Sequence, residues 1–298
     1  MDTLQDLRRR LQTAEQLRSV VRTMRAMAAV TIRQARQATE ALAGYNETAE
    51  LGLHVLLVNA PEERTAPREE ATGTLGAVVL GSDQGLVGRF NQLIATYAVA
   101  EVRRLAPAPD ERLVMAVGLR LAARLEDAGQ RLDHVISMPG SVAGITHAVR
   151  EMLVRIRAWQ VGRGVQRVAL FYSATEGGAA YSQRTQHLLP LSPIWLQGIR
   201  DRPWVSSSRP IITMSWDRLF SAYVRQYLFA SLHRAVAESM ASENASRLAA
   251  MDVAESNIEE RIGALRTRYH YVRQSSITEQ ILDVVTGYEA LREDSDSL

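Results

Sequence analysis

The residues of this chain best placed to do chemistry lie in one stretch, GSDQGLVGRFN, from Gly81 to Asn91. It follows an apolar run and opens an amphipathic one, so it reads as a glycine-rich turn from a strand into a helix. Such a turn can hold a phosphate on the free N–H groups at the helix start. The spacing of Gly81, Gly85 and Gly88 fits neither the dinucleotide fingerprint nor a phosphate loop, and the second requires a lysine that the sequence lacks. The stretch is therefore expected to be a tight turn demanding small residues, with Ser82 or Asp83 capping the helix that follows.

Other reactive groups are scattered. His54, His134, His147, His187, His233 and His270 show no paired metal-ligand spacing, and no serine is flanked as in a nucleophile elbow. Cysteine is absent, which removes disulfides, thiolate metal sites and thiol nucleophiles and fits a cytoplasmic setting. All 35 basic residues are arginine, so Schiff-base and lysine general-base chemistry are excluded. EGG at Glu176 to Gly178 reads as a hairpin or loop turn rather than an anion nest. No catalytic residue, cofactor site or metal site is expected.

The elements that would carry these residues are marked out by proline. All nine prolines lie between Pro61 and Pro210, which leaves a proline-free arm at each end. Along the first, Leu4, Leu7, Leu11, Ala14, Leu17, Val21, Met24, Ala28, Ile32, Ala35, Ala38 and Leu42 recur at spacings of three and four, a coiled-coil seam. The second repeats the rhythm through Leu248, Ile258, Ile262, Leu265, Tyr269, Val272 and Ile281. Helices through Asp2 to Val58 and Ser215 to Leu291 are expected, and two such arms most simply pair antiparallel. Their charges agree: residues 1–40 hold eight arginines against four acids, residues 211–298 nine against thirteen. Arg8, Arg18, Arg22, Arg25, Arg33 and Arg36 fall outside the seam, either as a solvated face or as contacts for an acidic partner. Glu243 and Arg247, one turn apart, are expected to form a surface pair of roughly 0.3 to 0.5 kcal/mol.

Between the arms, short apolar runs alternate with amphipathic segments, the pattern of a parallel α/β sheet. Strands are expected at Leu75 to Leu80, Leu113 to Val117, His134 to Ser137, Val168 to Ser173 and Thr185 to Leu189, with helices at Phe90 to Leu105, Leu119 to Ala128 and Ile145 to Ala158. Pro61 to Thr72 reads as an exposed acidic linker and Pro190 to Pro210 as an irregular return. The domain reading is an N-terminal long helix over residues 1–60, an α/β domain over 61–210 and a C-terminal long helix over 211–298. The fold class is thus α/β, a long antiparallel coiled coil of the terminal helices plus a central Rossmann-like domain. No apolar run approaches the ~20 residues that span a bilayer, and the N-terminus lacks a signal-peptide core.

Glu243, Arg247, Ala250, Met251, Ala254, Asn257, Tyr269, Arg273, Gln274, Ile277, Thr278, Val285 and Gly287 stand in an order and spacing that resembles the closing signature of the gamma subunit of F-type ATP synthases. Arg18 to Ala38, with Met24 at the recurrent methionine, is similar to the family's opening helix, and the Gly81 to Asn91 turn resembles its serine-aspartate-x-glycine-leucine-x-glycine stretch. The likeness runs along essentially the whole chain. Arg22, Thr31 and Gln34 replace the usual lysines, Arg25 stands where an acid is usual, Glu279 is displaced by one position, and Ile212 to Met214 replaces a tyrosine-glutamate-proline stretch. These departures mark a divergent branch, of the kind an alternate ATPase would represent.

The resemblance implies a non-catalytic central rotor shaft that binds no cofactor, with ATP chemistry on partner beta subunits. It implies alpha and beta subunits at the head, an epsilon subunit and a ring of c subunits as partners, and a peripheral position on the cytoplasmic face of a bacterial inner membrane. It further implies partner contacts at Met24, Arg25, Arg273, Gln274 and Thr278, and brings Met24 and Ala28 near Tyr269 to Ser276. The competing readings are an α/β enzyme, which lacks a catalytic cluster, and a coiled-coil scaffold or nucleic-acid-binding protein using the arginine-rich arm, against which the acidic second arm argues.

Overall fold

The computed structural model describes residues 3–60, 73–177, 180–204 and 212–296. The acidic stretch 61–72 and the end of the proline-rich return, 205–211, lie outside them. The chain divides into two compact units, one of Met27–Ala249 and one joining Met1–Ala26 with Ala250–Leu298. The first helix, α1 (Leu4–Val58), and the last, α6 (Trp216–Asp296), each supply residues to both.

The larger unit is built on a five-stranded sheet. In β1 (Leu75–Leu80), LGAVVL is buried at every position, the unbroken apolar run required of a strand covered on both faces. It pairs in parallel with β2 (Arg112–Val117) on one side and β4 (Arg167–Gly177) on the other, and β2 pairs in parallel with β3 (His134–Ile136). The central strands are parallel as expected, and the fifth strand, β5 (Ala180–Leu189), is the exception. It runs antiparallel to β4, with Gly177 opposite Ala180. A strand that returns after so short a connection has no room for the crossover a parallel neighbour needs. The turn expected at Glu176 to Gly178 falls between these two strands, with Gly178 itself outside the described residues.

The sheet order is β3-β2-β1-β4-β5. Helices α2 (Phe90–Leu105) and α3 (Leu119–Asp127) cover one face, where Ile94, Val99, Leu121 and Leu125 pack on Val79 and Phe171. On the other face lie α4 (Ile145–Arg163) and the stretch of α6 carrying Leu228, Leu232, Val236 and Met240. That part of α6 is a layer of the domain, and each buried Leu or Val contributes roughly 1.5 to 3 kcal/mol by leaving water.

A helix also occupies the stretch expected to be irregular. Ser192 caps α5 (Pro193–Arg200), its side chain accepting from the Trp195 N–H, and Pro193 fits the first turn where no N–H is needed. Ile199 of α5 closes a small core with Leu53 and Leu56 of α1. His54 Nδ1 lies 2.7 Å from the Ile199 carbonyl, and its ring stacks on Trp204.

Candidate functional site

The Gly81 to Asn91 turn sits where an α/β sheet would take a ligand. Strand order reverses between β1 and β4, and ligands of open α/β sheets bind beyond the carboxyl ends of the strands at such a point. Here the crevice holds the chain's own α6. Ser246 Oγ donates to the Val87 carbonyl at 2.7 Å, Tyr181 donates to Ser246, and Ser242 Oγ donates to the Ser173 carbonyl of β4. The motif's polar groups are equally occupied. Asn91 accepts from the Ser82 N–H and donates to Ser82 Oγ, while Asp83 Oδ1 accepts from the N–H groups of Leu119 at 2.8 Å and Met138 at 3.0 Å.

Asp83 thus caps α3 and ties together the ends of β1, β2 and β3. Neither it nor Ser82 caps α2, as the sequence had suggested; the N-cap of α2 is Arg89, without a side-chain hydrogen bond. Gly118 allows the approach. Its φ is +122°, and a Cβ there would lie 2.7 Å from the Ser82 nitrogen.

Glu243 and Arg247 are in contact at 2.6 Å, but not on the surface. Their side chains are only 9% and 11% exposed. Arg247 donates a second bond to Asn244 Oδ1 at 2.7 Å. Burial raises the Glu243 carboxyl above its ordinary value, Arg247 opposes that shift, and the charge of Asp83 adds to it. The pair is a buried network beside the motif, in place of the solvated pair expected from a one-turn spacing.

In the smaller unit the two helices meet antiparallel. Glu15 accepts from Arg266 at 2.7 Å, and Arg22 reaches Glu255 at 2.5 Å and Glu259 at 3.0 Å. Arg25 contacts Glu255 at 2.6 Å and Asp252 at 3.3 Å. This register sets Leu7 across from Val272, Leu11 from Tyr269, Ala14 from Leu265 and Val21 from Ile258, all of them buried or half-buried. Within this unit Tyr269 to Ser276 therefore faces Leu4 to Leu11 and does not meet Met24. The cause of the error is physical: a seam repeating every seven residues fits itself at several offsets. The seam also passes through half-buried Arg18, leaving Leu17 53% exposed.

Glu255 is the acidic residue in this seam, with 8% of its surface exposed. The hydrogen bond from Arg22 is the main cause that holds its carboxyl below the ordinary range; burial opposes it, and Arg25, Arg22 and Arg18 add charge attraction. Two slender helices leave water close by, so the group keeps its charge. Sequence reasoning missed Glu255 because periodicity counts apolar residues, although the heptad spacing from Glu255 to Ile262 and Tyr269 was open to view.

The residues expected to touch partners fall in two places. Met24 is half-buried, and Arg25 is exposed with one guanidinium nitrogen on Asp252 and Glu255. Arg273, Gln274 and Thr278 are exposed and lie roughly 30 Å further along α6 at 1.5 Å per residue. Thr278 Oγ1 donates to the Gln274 carbonyl at 3.0 Å. Among and beyond them Ile277, Ile281, Leu282, Val284 and Val285 are exposed apolar residues. Among the described residues no cluster could hold a metal ion. A cavity of about 290 Å³ is lined by Tyr172, Trp195, Tyr223 and Tyr227, and its charged residues Glu50 and Arg234 are paired with Arg202 and Glu238.

Comparison with known proteins agrees along the whole length. The family model described as ATP synthase matches residues 3–291. The chain is 28% identical over 300 residues to the ATP synthase gamma chain of Chlorobaculum tepidum, across 98% of this chain and 100% of that one. It is 29% identical over 310 residues to the ATP synthase gamma chain of Salinibacter ruber, across 98% and 99%. Among solved structures, a chain of the Euglena gracilis mitochondrial ATP synthase, described as OSCP/F1/c-ring, matches with a TM-score of 0.61 at 16% identity, over 97% of this chain and 94% of that one. A chain of the Tetrahymena thermophila mitochondrial ATP synthase central stalk and c-ring matches at 0.56 and 21% identity, over 79% and 99%.

Proposed function

This chain belongs to the ATP synthase gamma family, and we propose that it is the central stalk of an F-type ATP synthase, the rotor that carries torque between a membrane c-ring and a catalytic head of three alpha and three beta subunits. The observation that carries the reading is the family match over residues 3–291, joined to the antiparallel pairing of α1 and α6. ATP chemistry lies on the beta subunits. The rotor acts by presenting different surfaces to them, since it can shift their states only through contacts that differ between those states.

The exposed end of α6, with Ile277, Ile281 and Val284, enters the head. Arg273 and Gln274 form a directional catch for a beta-subunit loop, the arginine through its planar donor fork and the glutamine through its donor and acceptor. Thr278, whose hydroxyl is turned onto its own helix, adds a methyl contact. Met24 and Arg25 form a second contact lower on the shaft. The α/β domain is the foot, resting on the c-ring and the epsilon subunit. No described helix is long and apolar enough to cross a membrane, and the chain is held at the cytoplasmic face of a bacterial inner membrane by its partners.

Co-purification at native expression level tests the reading. Alpha and beta subunits are expected with the tagged chain; recovery of nucleic acid, or of the chain alone, refutes it. The isolated chain, titrated with Mg-ATP, is expected to give neither turnover nor saturable micromolar binding.

A further inference from the structure

The smaller unit carries a ladder of charged rungs at the flank of its seam. On α1, Arg8, Glu15 and Arg22 are spaced by seven; on α6, Arg273, Arg266 and Glu259 are spaced by seven in the opposite direction. Two rungs are closed ion pairs, Arg22 with Glu259 at 3.0 Å and Glu15 with Arg266 at 2.7 Å. The same register sets Arg8 across from Arg273. At the position where the other heptads place opposite charges, this one holds two arginines, both exposed and neither with an ion-pair partner among the described residues.

Like charges at facing flank positions disfavour helix pairing, and flank charges of this kind set partner choice. The neighbouring groups do not relieve the repulsion. Asp6, two residues before Arg8, faces another side of α1 and is hydrogen-bonded by Thr3, Glu15 is engaged by Arg266, and His270 and Arg268 on α6 add no negative charge. An anion placed between the two guanidinium groups would convert the repulsive rung into a three-membered bridge. Two planar donor forks on separate helices suit a carboxylate, which accepts on both oxygens.

We propose that Arg8 and Arg273 together form a two-guanidinium cleft that binds a carboxylate of the surrounding catalytic ring, so that the catch is built from both helices and not from α6 alone. This rests on the rotor reading above. Arg8 is assigned a role by the register, which places it beside Arg273. The cleft gives the catch a geometric condition: the carboxylate is held at full strength only while α1 and α6 keep their mutual register, so the contact also reports that the helix pair is intact.

The test uses the chain assembled with its cognate alpha and beta subunits. Arg8→Glu supplies the missing carboxylate from within and closes the rung on Arg273; Arg8→Gln removes one guanidinium without closing it. In the cysteine-free chain, Leu11→Cys with Tyr269→Cys reports the register by disulfide formation in each variant. With the crosslink and assembly intact, ATP turnover of the complex is expected to fall about tenfold in Arg8→Glu, as loss of a charge-assisted contact implies, and by a smaller factor in Arg8→Gln. Melting of the isolated Arg8→Glu chain is expected at or above the wild-type temperature. Wild-type turnover in both variants overturns the cleft while leaving the rotor reading in place. Failure of the unaltered chain to assemble with alpha and beta subunits overturns both.

Discussion

Glu243→Ala is expected to be among the most damaging single truncations in the larger unit. The substitution leaves Arg247, 11% exposed, without its paired carboxylate and with Asn244 Oδ1 as the acceptor still in place. Breaking a buried ion pair from one side costs about 3 to 5 kcal/mol, because the remaining charge stays out of water. For a unit of this size that corresponds to a fall in melting temperature of about 10 °C. Tryptophan fluorescence reads the right unit: Trp159, Trp195, Trp204 and Trp216 all lie within Met27–Ala249, the unit that holds the pair. Glu243→Leu combined with Arg247→Leu removes both charges and is expected to melt close to wild type, since apolar replacement of a buried pair is often neutral. A single Glu243→Ala chain within about 1 kcal/mol of wild type, or a double variant as unstable as the single, refutes the reasoning.

Three further outcomes follow from the same geometry. Gly118→Ala combines strain at φ +122° with a Cβ 2.7 Å from the Ser82 backbone nitrogen, and is expected to cost about 2 to 6 kcal/mol from strain and overpacking together; melting of the variant checks it. Replacing Arg273 and Gln274 by Ala is expected to leave the complex assembled while lowering ATP turnover and coupled ion transport, and unchanged rates for both would remove the catch. Glu255, whose folded pKa is depressed, contributes stability that is fully present above its ordinary value of 4.5 and is lost as pH falls through the depressed value. Hydrogen exchange in residues 4–26 is therefore expected to accelerate in acid below that range, and Glu255→Gln to abolish the acceleration. Glu243 has the opposite sign, its raised pKa making the charged form a cost that appears as pH rises through and above the ordinary carboxylate range.

Local signals carried the elements well. The strand at Leu75 to Leu80 and the helix at Phe90 to Leu105 appear with the bounds their apolar patterns imply, because burial on one or two faces leaves a periodic mark within a few residues. Roles that depend on distant segments were harder to read. Asp83 looks like a cap for the helix that follows it, yet its acceptor serves Leu119 and Met138, which sequence brings no nearer than 36 residues. Glu243 and Arg247 look solvated because the sheet and turn that bury them lie elsewhere in the chain. The helix at Pro193–Arg200 is short enough for its Ser-Pro start signal to be taken for loop chemistry.

The helix-pair register is the instructive case, because apolar residues and charges speak to it differently. Leucine, isoleucine and alanine at every third and fourth position establish that a seam exists and then fit almost equally well after a slip of seven. The charges distinguish the offsets. In the observed register two flank rungs attract and one repels. One heptad in one direction sets Arg8 on Arg266 and Glu15 on Glu259, two repulsions against the single attraction of Arg22 to Asp252. One heptad the other way leaves Glu15 on Arg273 against Arg22 on Arg266. The larger offset that would bring Met24 beside Tyr269 to Ser276 sets Arg22 on Arg273 and Glu15 on Gln280, with no attraction at either rung. Only the observed offset also seats Glu255 between Arg22 and Arg25. The register was therefore written in the polar positions that a periodicity search discards, and the rung that stays repulsive at the best offset is the one whose charge calls for a partner outside the chain.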